Sequence, residues 1–294
     1  MPDRVREAGG GAPATSVPHQ TGGRSLVDDP ARATSGSDVG AQPERQQESA
    51  EPLAGGPGAV ARAVVGAVVV GAGHGRRLGG VEKAFLAVAG QPLVAYSLEV
   101  LEASALVDRV CLVVSSASVP RARDLVRERG WRKVVAVVGG GAERQDSVRA
   151  GLEAIGECDY VLVHDAARPL LTERLIDDGL AAATRWGAAL AATPLRDTLK
   201  RVAGDAAGGR VVETVDRSGL WAAQTPQVFR TQLLRAAYDA VGPAAGAFTD
   251  DAALVAAAGY PVYVYPGDAA NVKVTLPEDV PIVEALLRRR REGE

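Results

Sequence analysis

Residues 63–80 read Ala-Val-Val-Gly-Ala-Val-Val-Val-Gly-Ala-Gly-His-Gly-Arg-Arg-Leu-Gly-Gly. The first eight are apolar or glycine without interruption. A strand that is apolar on both sides is covered on both sides, which is the habit of parallel sheets. The glycines that follow let backbone N–H groups approach and wrap a phosphate chain. The spacing is neither a Walker A loop, since GK[ST] is absent, nor a clean GxGxxG, since Arg76 and Arg77 intrude. Those arginines and Lys83 supply cations suited to a triphosphate. Taken alone, the loop also reads as a glycine-rich turn with solvated arginines.

The same punctuation recurs downstream. Residues 109–115, 133–138, 160–164, 188–192 and 262–265 read as short apolar strands. Between and after them, 92–103, 119–130, 147–155, 172–186, 230–241, 250–259 and 277–290 read as helices. Thr172 is placed to cap its helix and Gly130 to end another. Strands alternating with helices predict βαβ units. The expected fold class is α/β, Rossmann-like, with a mostly parallel sheet and helices on both faces. Residues 197–217 break the rhythm with two polar, alternating runs around Gly204-Asp205-Ala206-Ala207-Gly208-Gly209, the pattern of a hairpin arm projecting from the sheet.

Residues 1–60 differ from the rest of the 294-residue chain. They hold 10 Gly, 7 Pro, no aromatic residue and only 8 Val, Leu, Ile, Phe or Met. Such a segment buries too little apolar surface to offset its chain entropy, so a disordered tail over 1–60 is expected, followed by one folded domain over 61–294. The tail has 5 basic and 8 acidic residues, against 33 and 36 for the whole chain, which leaves the remainder balanced at 28 and 28. A neutral domain carries no global footprint for nucleic acid or an anionic membrane. No apolar run approaches the roughly 18 residues of a membrane span. Cys111 and Cys158 have no CxxC spacing and read as reduced packing residues rather than a disulfide or metal ligands. A soluble, cytoplasmic protein is expected.

Three further motifs carry chemistry. His164-Asp165-Ala166-Ala167-Arg168-Pro169 stands at a strand's C-terminal end, where open α/β sheets bind ligands. An Asp there suits Mg²⁺, because hard cations take oxygen donors; a helix or turn cap beside a surface Arg is the alternative reading of the local sequence. His164 lacks a spaced metal-ligand partner and reads as structural. Gly139-Gly140-Gly141-Ala142-Glu143-Arg144-Gln145-Asp146-Ser147 leads into a helix N-terminus, with Ser147 either capping that helix or meeting a base or ribose. Asn271-Val272-Lys273-Val274-Thr275, expected near the end of the sheet, puts Lys273 in an apolar run, where it needs a cleft, an anion or an open edge. Thr249-Asp250-Asp251 reads as a helix cap followed by acids, and Gln224-Thr225-Pro226-Gln227 as turn chemistry.

Taken in order, the blocks GAGHGRRLG, GGGAERQDSV, VLVHDAARP, PLRDTLKR, TVDRSGLWAAQTPQ, FTDDAALV and NVKVTLPEDV resemble the 2-C-methyl-D-erythritol 4-phosphate cytidylyltransferase family over about 67–280. The resemblance implies transfer of the cytidylyl group of CTP to a sugar-alcohol phosphate, with release of pyrophosphate, Mg²⁺ as cofactor and a homodimer formed through the arm. It implies that Arg77 and Lys83 stabilise charge at the α-phosphate while Ala72, Gly73 and Gly75 cradle the phosphates. Gly141 and Ser147 would lie by cytosine and ribose, and Asp165 would bind the nucleotide and Mg²⁺. Lys273 would bridge CTP and the acceptor phosphate. Thr198 and Arg217 would bind the acceptor phosphate across the dimer, with Arg168 and Thr225 lining the sugar-phosphate side.

The chain departs from the family pattern where proline usually precedes the catalytic lysine. It carries Glu82 there, a carboxylate able to compete with phosphate for the ammonium of Lys83. Two other readings stand beside the first: a cytidylyltransferase for another polyol phosphate, such as ribitol 5-phosphate, and a non-catalytic nucleotide binder. No Ser-His-Asp or Cys-His arrangement points to a hydrolase.

Overall fold

The first strand, β1, spans Val65–Val70 and lies deep inside the domain. The structure is a computed structural model that describes residues 62–73, 82–205, 207–242 and 247–293. The tail expected to be disordered, and the loop positions Gly75, Arg76 and Arg77, lie outside the described residues. After β1 come two short strands, β2 (Ala87–Val88) and β3 (Gln91–Pro92), then α1 (Leu93–Ala103) and β4 (Arg109–Val114). The chain continues through α2 (Val119–Arg129), β5 (Val134–Gly139), α3 (Arg144–Ala154) and β6 (Tyr160–Asp165). Then follow α4 (Glu173–Trp186), β7 (Ala188–Pro194), β8 (Leu199–Asp205), β9 (Gly208–Val215) and β10 (Trp221–Arg230). The last elements are α5 (Thr231–Val241), α6 (Asp251–Ala257), β11 (Tyr263–Pro266) and α7 (Asp279–Gly293).

The main sheet has seven strands in the order β11-β7-β10-β6-β1-β4-β5. All pairings are parallel except those of β10, which runs antiparallel between β6 and β7. Alternate residues feed two cores. Val65, Ala67 and Val69 pack with α1, α2 and α4 side chains such as Leu98, Ala122 and Ile176. Val68 faces α3, α5 and α6 through Val148, Leu234 and Leu254. This two-sided burial is why β1 reads as continuously apolar. The order also fixes where a ligand can enter. From β1 the chain steps outward to β4 and β5, then returns to place β6 on the other side of β1. The crevice between the C-terminal ends of β1 and β6, where Val70 pairs with Asp165, is the switch point of the sheet.

β10 is the element the sequence conceals. Gln224-Thr225-Pro226-Gln227, read as turn chemistry, lies inside a ten-residue strand. The register slips between Ala223 and Gln227, so Pro226 occupies the gap where the ladder needs no N–H from it. The polar residues there are buried and hydrogen-bonded, which hides the strand from an apolar pattern. Residues 271–275 also differ from expectation: they form an extended loop between β11 and α7, not a strand. The hairpin is present as β8 and β9, which pair with each other and leave nearly every residue exposed.

Gly151 of α3 shows how close the layers stand. A methyl added there would lie 2.4 Å from Val68 Cγ1 and 3.0 Å from Val113 Cγ2. Both neighbours are stiff β-branched strand residues and cannot swing aside. Gly151→Ala would ordinarily gain about 1 kcal/mol of helix propensity. Overpacking is expected to win, with a net loss of about 1–3 kcal/mol in a urea titration; a stabilised variant would contradict this packing.

Candidate functional site

A cavity of about 480 Å³ opens at the switch point, lined by residues 70–73, Lys83, the stretch 141–144, Ser147, Asp165 and Lys273. Its walls need small residues. A methyl on Gly140 would lie 2.3 Å from Ala72 Cβ and 2.5 Å from Ser147 Oγ, so the two glycine-containing loops touch through a glycine. Among the described residues, a methyl on Gly73 would meet nothing within 4 Å. Ser147 is buried, accepts from the Gly141 N–H at 3.2 Å and donates to the Glu143 carbonyl at 3.3 Å. It therefore shapes the loop rather than capping the helix. That cap is Glu143, in a reciprocal box with Asp146.

Asp165 closes the floor. Lys273 Nζ is 2.7 Å from its Oδ2, Arg144 Nη2 3.6 Å from Oδ1 and Arg168 Nε 3.7 Å from Oδ2. Burial works against its charge, but Lys273, Arg144 and Arg168 outweigh that and hold its pKa at about 2. Arg144 was not singled out from sequence, yet it lines the cavity. Burial alone would lower its pKa; Asp251, at 2.6 Å, and Asp165 more than offset this and raise it. Asp251 is buried and also accepts from the Tyr238 hydroxyl at 2.7 Å. Asp250 caps α6 as the sequence suggested, accepting from the Ala253 N–H. The partners Arg144 and Asp251 are 107 residues apart, and no local pattern joins them.

Neutral groups hold the floor from below. The Thr225 hydroxyl accepts the Asp165 N–H at 3.0 Å and meets His164 Nδ1 at 3.0 Å. The other ring nitrogen faces the Arg168 carbonyl at 3.1 Å. These partners assign the proton to Nε2, leaving Nδ1 as acceptor for Thr225. Thr225 is thus beneath the floor, its hydroxyl occupied, rather than lining the cavity. Arg168 donates to the carbonyls of Asn271 (2.7 Å) and Ala223 (3.3 Å), tying the loop that carries Lys273 to β10. Asn271 is fully buried and donates to the Thr225 carbonyl at 2.8 Å, and Val274 is anchored among Leu93, Tyr96 and Val283. Lys273 is held between these two anchors. Lys83 Nζ donates to the carbonyls of Thr275 (3.2 Å) and Val274 (3.5 Å), so both lysines meet on one loop.

Ala72, Gly73, Lys83, Gly141, Ser147, Asp165 and Lys273 are therefore brought together, with Arg168 alongside. Thr198 and Arg217 do not line the cavity; both are exposed near the root of the hairpin, where Arg217 donates to the Arg196 carbonyl. Among the described residues no cluster of three His, Cys, Asp or Glu could hold a metal alone. Asp165 is nonetheless ionised and faces the cavity. One carboxylate completed by substrate phosphate oxygens and water is the ordinary donor set of Mg²⁺, so the site fits that ion as a shared ligand.

A cation-lined cavity at the switch point of a parallel sheet, entered by two glycine loops, defines a nucleotide-handling α/β protein. The family model "IspD: 2-C-methyl-D-erythritol 4-phosphate cytidylyltransferase" matches residues 65–289. A relative of that name from Dehalococcoides mccartyi strain CBDB1 is 44% identical over 227 residues, covering 77% of this chain and 97% of the relative. One from Geobacillus kaustophilus is 41% identical, covering 76% and 97%. The crystal structure of the Thermus thermophilus cytidylyltransferase aligns with TM-score 0.62 at 36% identity, over 78% of this chain and all of that one. The chain belongs to the 2-C-methyl-D-erythritol 4-phosphate cytidylyltransferase family. Among the described residues no helix is long and apolar enough to cross a membrane.

The buried imidazole gives a pH signature. Burial pushes His164 down to about 4 from an ordinary 6.5. Between those values the unfolded chain binds a proton that the folded one does not, so stability falls as pH drops. Lowering pH from 7 to 4.5 should cost about 2–3 kcal/mol through this residue. Asp165, held at about 2, adds little in that window. In His164→Gln, urea titrations at the two pH values should differ by less; an unchanged difference would refute the assignment.

Proposed function

We propose that this chain transfers the cytidylyl group of CTP to 2-C-methyl-D-erythritol 4-phosphate, giving the CDP-alcohol and pyrophosphate. The observation that carries the reading is the ionised Asp165 in the cavity, with Lys273 at 2.7 Å and Lys83 anchored to the same loop. An oxygen of the acceptor phosphate attacks the α-phosphorus; that P–O bond forms as the bond to the β-phosphate bridging oxygen breaks, and pyrophosphate leaves with the electron pair. The acceptor is largely a dianion at neutral pH, so no general base is required. Two anions must be brought together, and positioning with charge neutralisation supplies the rate.

In this reading the backbone of Ala72, Gly73 and Gly75 cradles the triphosphate. Lys83 and Arg77 neutralise charge at the α-phosphate, and Gly141 and Ser147 shape the cytosine and ribose end. Lys273 reaches both substrates, since its side chain is 44% exposed whereas Arg144 and Arg168 are far more covered. Asp165 would hold Mg²⁺, which when bound supplies further charge neutralisation on the phosphates. Arg168 and Thr225 support the acceptor side from behind Asp165. Thr198 and Arg217 reach the acceptor phosphate of a second copy's site, a role favoured by their absence from the lining of their own cavity. The same reading makes the protein a homodimer through β8 and β9. Val202, Val211 and Val212 are 46%, 52% and 44% exposed there, more apolar surface than a solvated hairpin needs. Two free thiols, Cys111 buried and Cys158 half-buried, suit a reducing cytoplasm.

Pyrophosphate release from CTP and Mg²⁺ should depend on methylerythritol phosphate, and not on ribitol 5-phosphate. Lys83→Ala should lower kcat/KM by roughly 10²–10³-fold, the order seen when a preorganised charge-stabilising group is removed. Release with ribitol 5-phosphate alone would move the acceptor; normal turnover in the variant would remove Lys83 from its role.

For the dimer, Val211→Asp with Val202→Asp should convert the protein to monomers in light-scattering chromatography. A wild-type monomer, or an unaltered dimer in the variant, would refute the hairpin interface.

A further inference from the structure

Glu82 immediately precedes Lys83, which lines the cavity, and a carboxylate directed into that cavity would repel a polyanionic ligand. The structure shows where its charge goes. Its Oε1 accepts the Ser115 N–H at 3.0 Å, and its Oε2 accepts the Ser118 hydroxyl. Ser115 directly follows β4, and Ser118 directly precedes α2. Neither of the helical segments that begin there, Ser116–Ser118 and α2, has a side-chain cap of its own. The carboxylate therefore sits at the N-terminal side of a helix, where negative charge is favoured.

A second contact docks the same turn on the same helix. The 3-10 turn Lys83–Phe85 buries Phe85, and the Arg121 guanidinium of α2 lies 4.5 Å over its ring. The turn is thus fastened on either side of Lys83, by Glu82 before it and by Phe85 after it. The Ser116–Ser118 segment touches the opposite wall as well: a methyl on Gly139 would lie 2.6 Å from Ser116 Oγ. One short segment braces both the lysine turn and the loop 139–141.

We propose that Glu82 is a positioning residue: its carboxylate latches the Lys83 turn to residues 115–118, aiming the Lys83 ammonium into the cavity and holding its own charge away from the nucleotide. This rests on the reading that Lys83 meets the triphosphate. The latch orders a turn whose hydrogen bonds, Phe85 N–H to the Glu82 carbonyl and Leu86 N–H to the Lys83 carbonyl, are both 3.1 Å. Those two amides report it independently of catalysis.

The experiment compares wild type, Glu82→Ala, Glu82→Gln, Ser118→Ala, Lys83→Ala and the double variant Glu82→Ala/Lys83→Ala. Amide hydrogen exchange at Phe85 and Leu86 should quicken in Glu82→Ala and, less strongly, in Ser118→Ala. Steady-state kcat/KM for CTP should fall roughly 10- to 100-fold in Glu82→Ala, the cost of a misplaced catalytic group. Glu82→Gln, which keeps one strong acceptor, should recover part of it. In the Lys83→Ala background, removing Glu82 should cause little further loss of CTP affinity by calorimetry, because the two act through one another. Unchanged exchange in Glu82→Ala overturns the latch. Quickened exchange with unchanged kcat/KM, or a full second loss of affinity in the double variant, overturns the positioning role. If wild type shows no acceptor-dependent pyrophosphate release, the cytidylyl-transfer reading fails, and the exchange and CTP-affinity arms still decide the latch.

Discussion

The site depends on one constraint, a buried carboxylate that must stay ionised. Asp165 ends the central strand β6, largely shielded from bulk water, and burial alone would favour its protonated form. Three cations prevent this, and they are unequal. Arg144 and Arg168 are covered and have further partners, Asp251 for one and two backbone carbonyls for the other. Lys273 makes the shortest contact yet is the most exposed of the three. Counting Asp165 and Asp251 against Lys273, Arg144 and Arg168 leaves two negative charges facing three positive ones, before Lys83 is added. Lys273 is thus the cation of the three that solvent reaches most readily, while the arginines are held by their other partners.

Neutral hydrogen-bond networks make that balance geometrically stable. His164 is fully buried and stays uncharged at physiological pH, so its ring joins Thr225 to the Arg168 carbonyl without adding charge. Gln224 and Asn271 join β10 to the loop before Lys273: Asn271 donates to the Thr225 carbonyl, and Gln224 both donates to and accepts from the Asp268 backbone. Such networks inside a low-dielectric core specify one arrangement, because any half-satisfied alternative leaves a polar group stranded.

Much of the fold was legible along the chain. Valine-rich runs announce β1, β4 and β6 because both of their faces are covered, and Gly-rich loops after β1 and β5 mark the cavity walls. Thr172 caps α4 as read, accepting from the Leu175 N–H at 3.2 Å. β10 was not legible, because Gln224, Thr225 and Gln227 are spent on the polar network and Pro226 interrupts the ladder. Arg144 stood inside a quoted motif without a role, since its partner Asp251 is remote in sequence. Glu82 read as a competitor for Lys83, and its hydroxyl and amide partners more than 30 residues away reverse that reading.

The sequence by itself determined the alternation of strands and helices, the positions of the glycine loops and the identity of the cations, because these follow from local periodicity and residue chemistry. Only the tertiary structure decided how the charges are shared. Which cation stays with Asp165, which one remains accessible, and where the Glu82 carboxylate points depend on distances between segments remote along the chain. Electrostatic and hydrogen-bond energies follow those distances and the local burial, and neither quantity is written in the order of the residues.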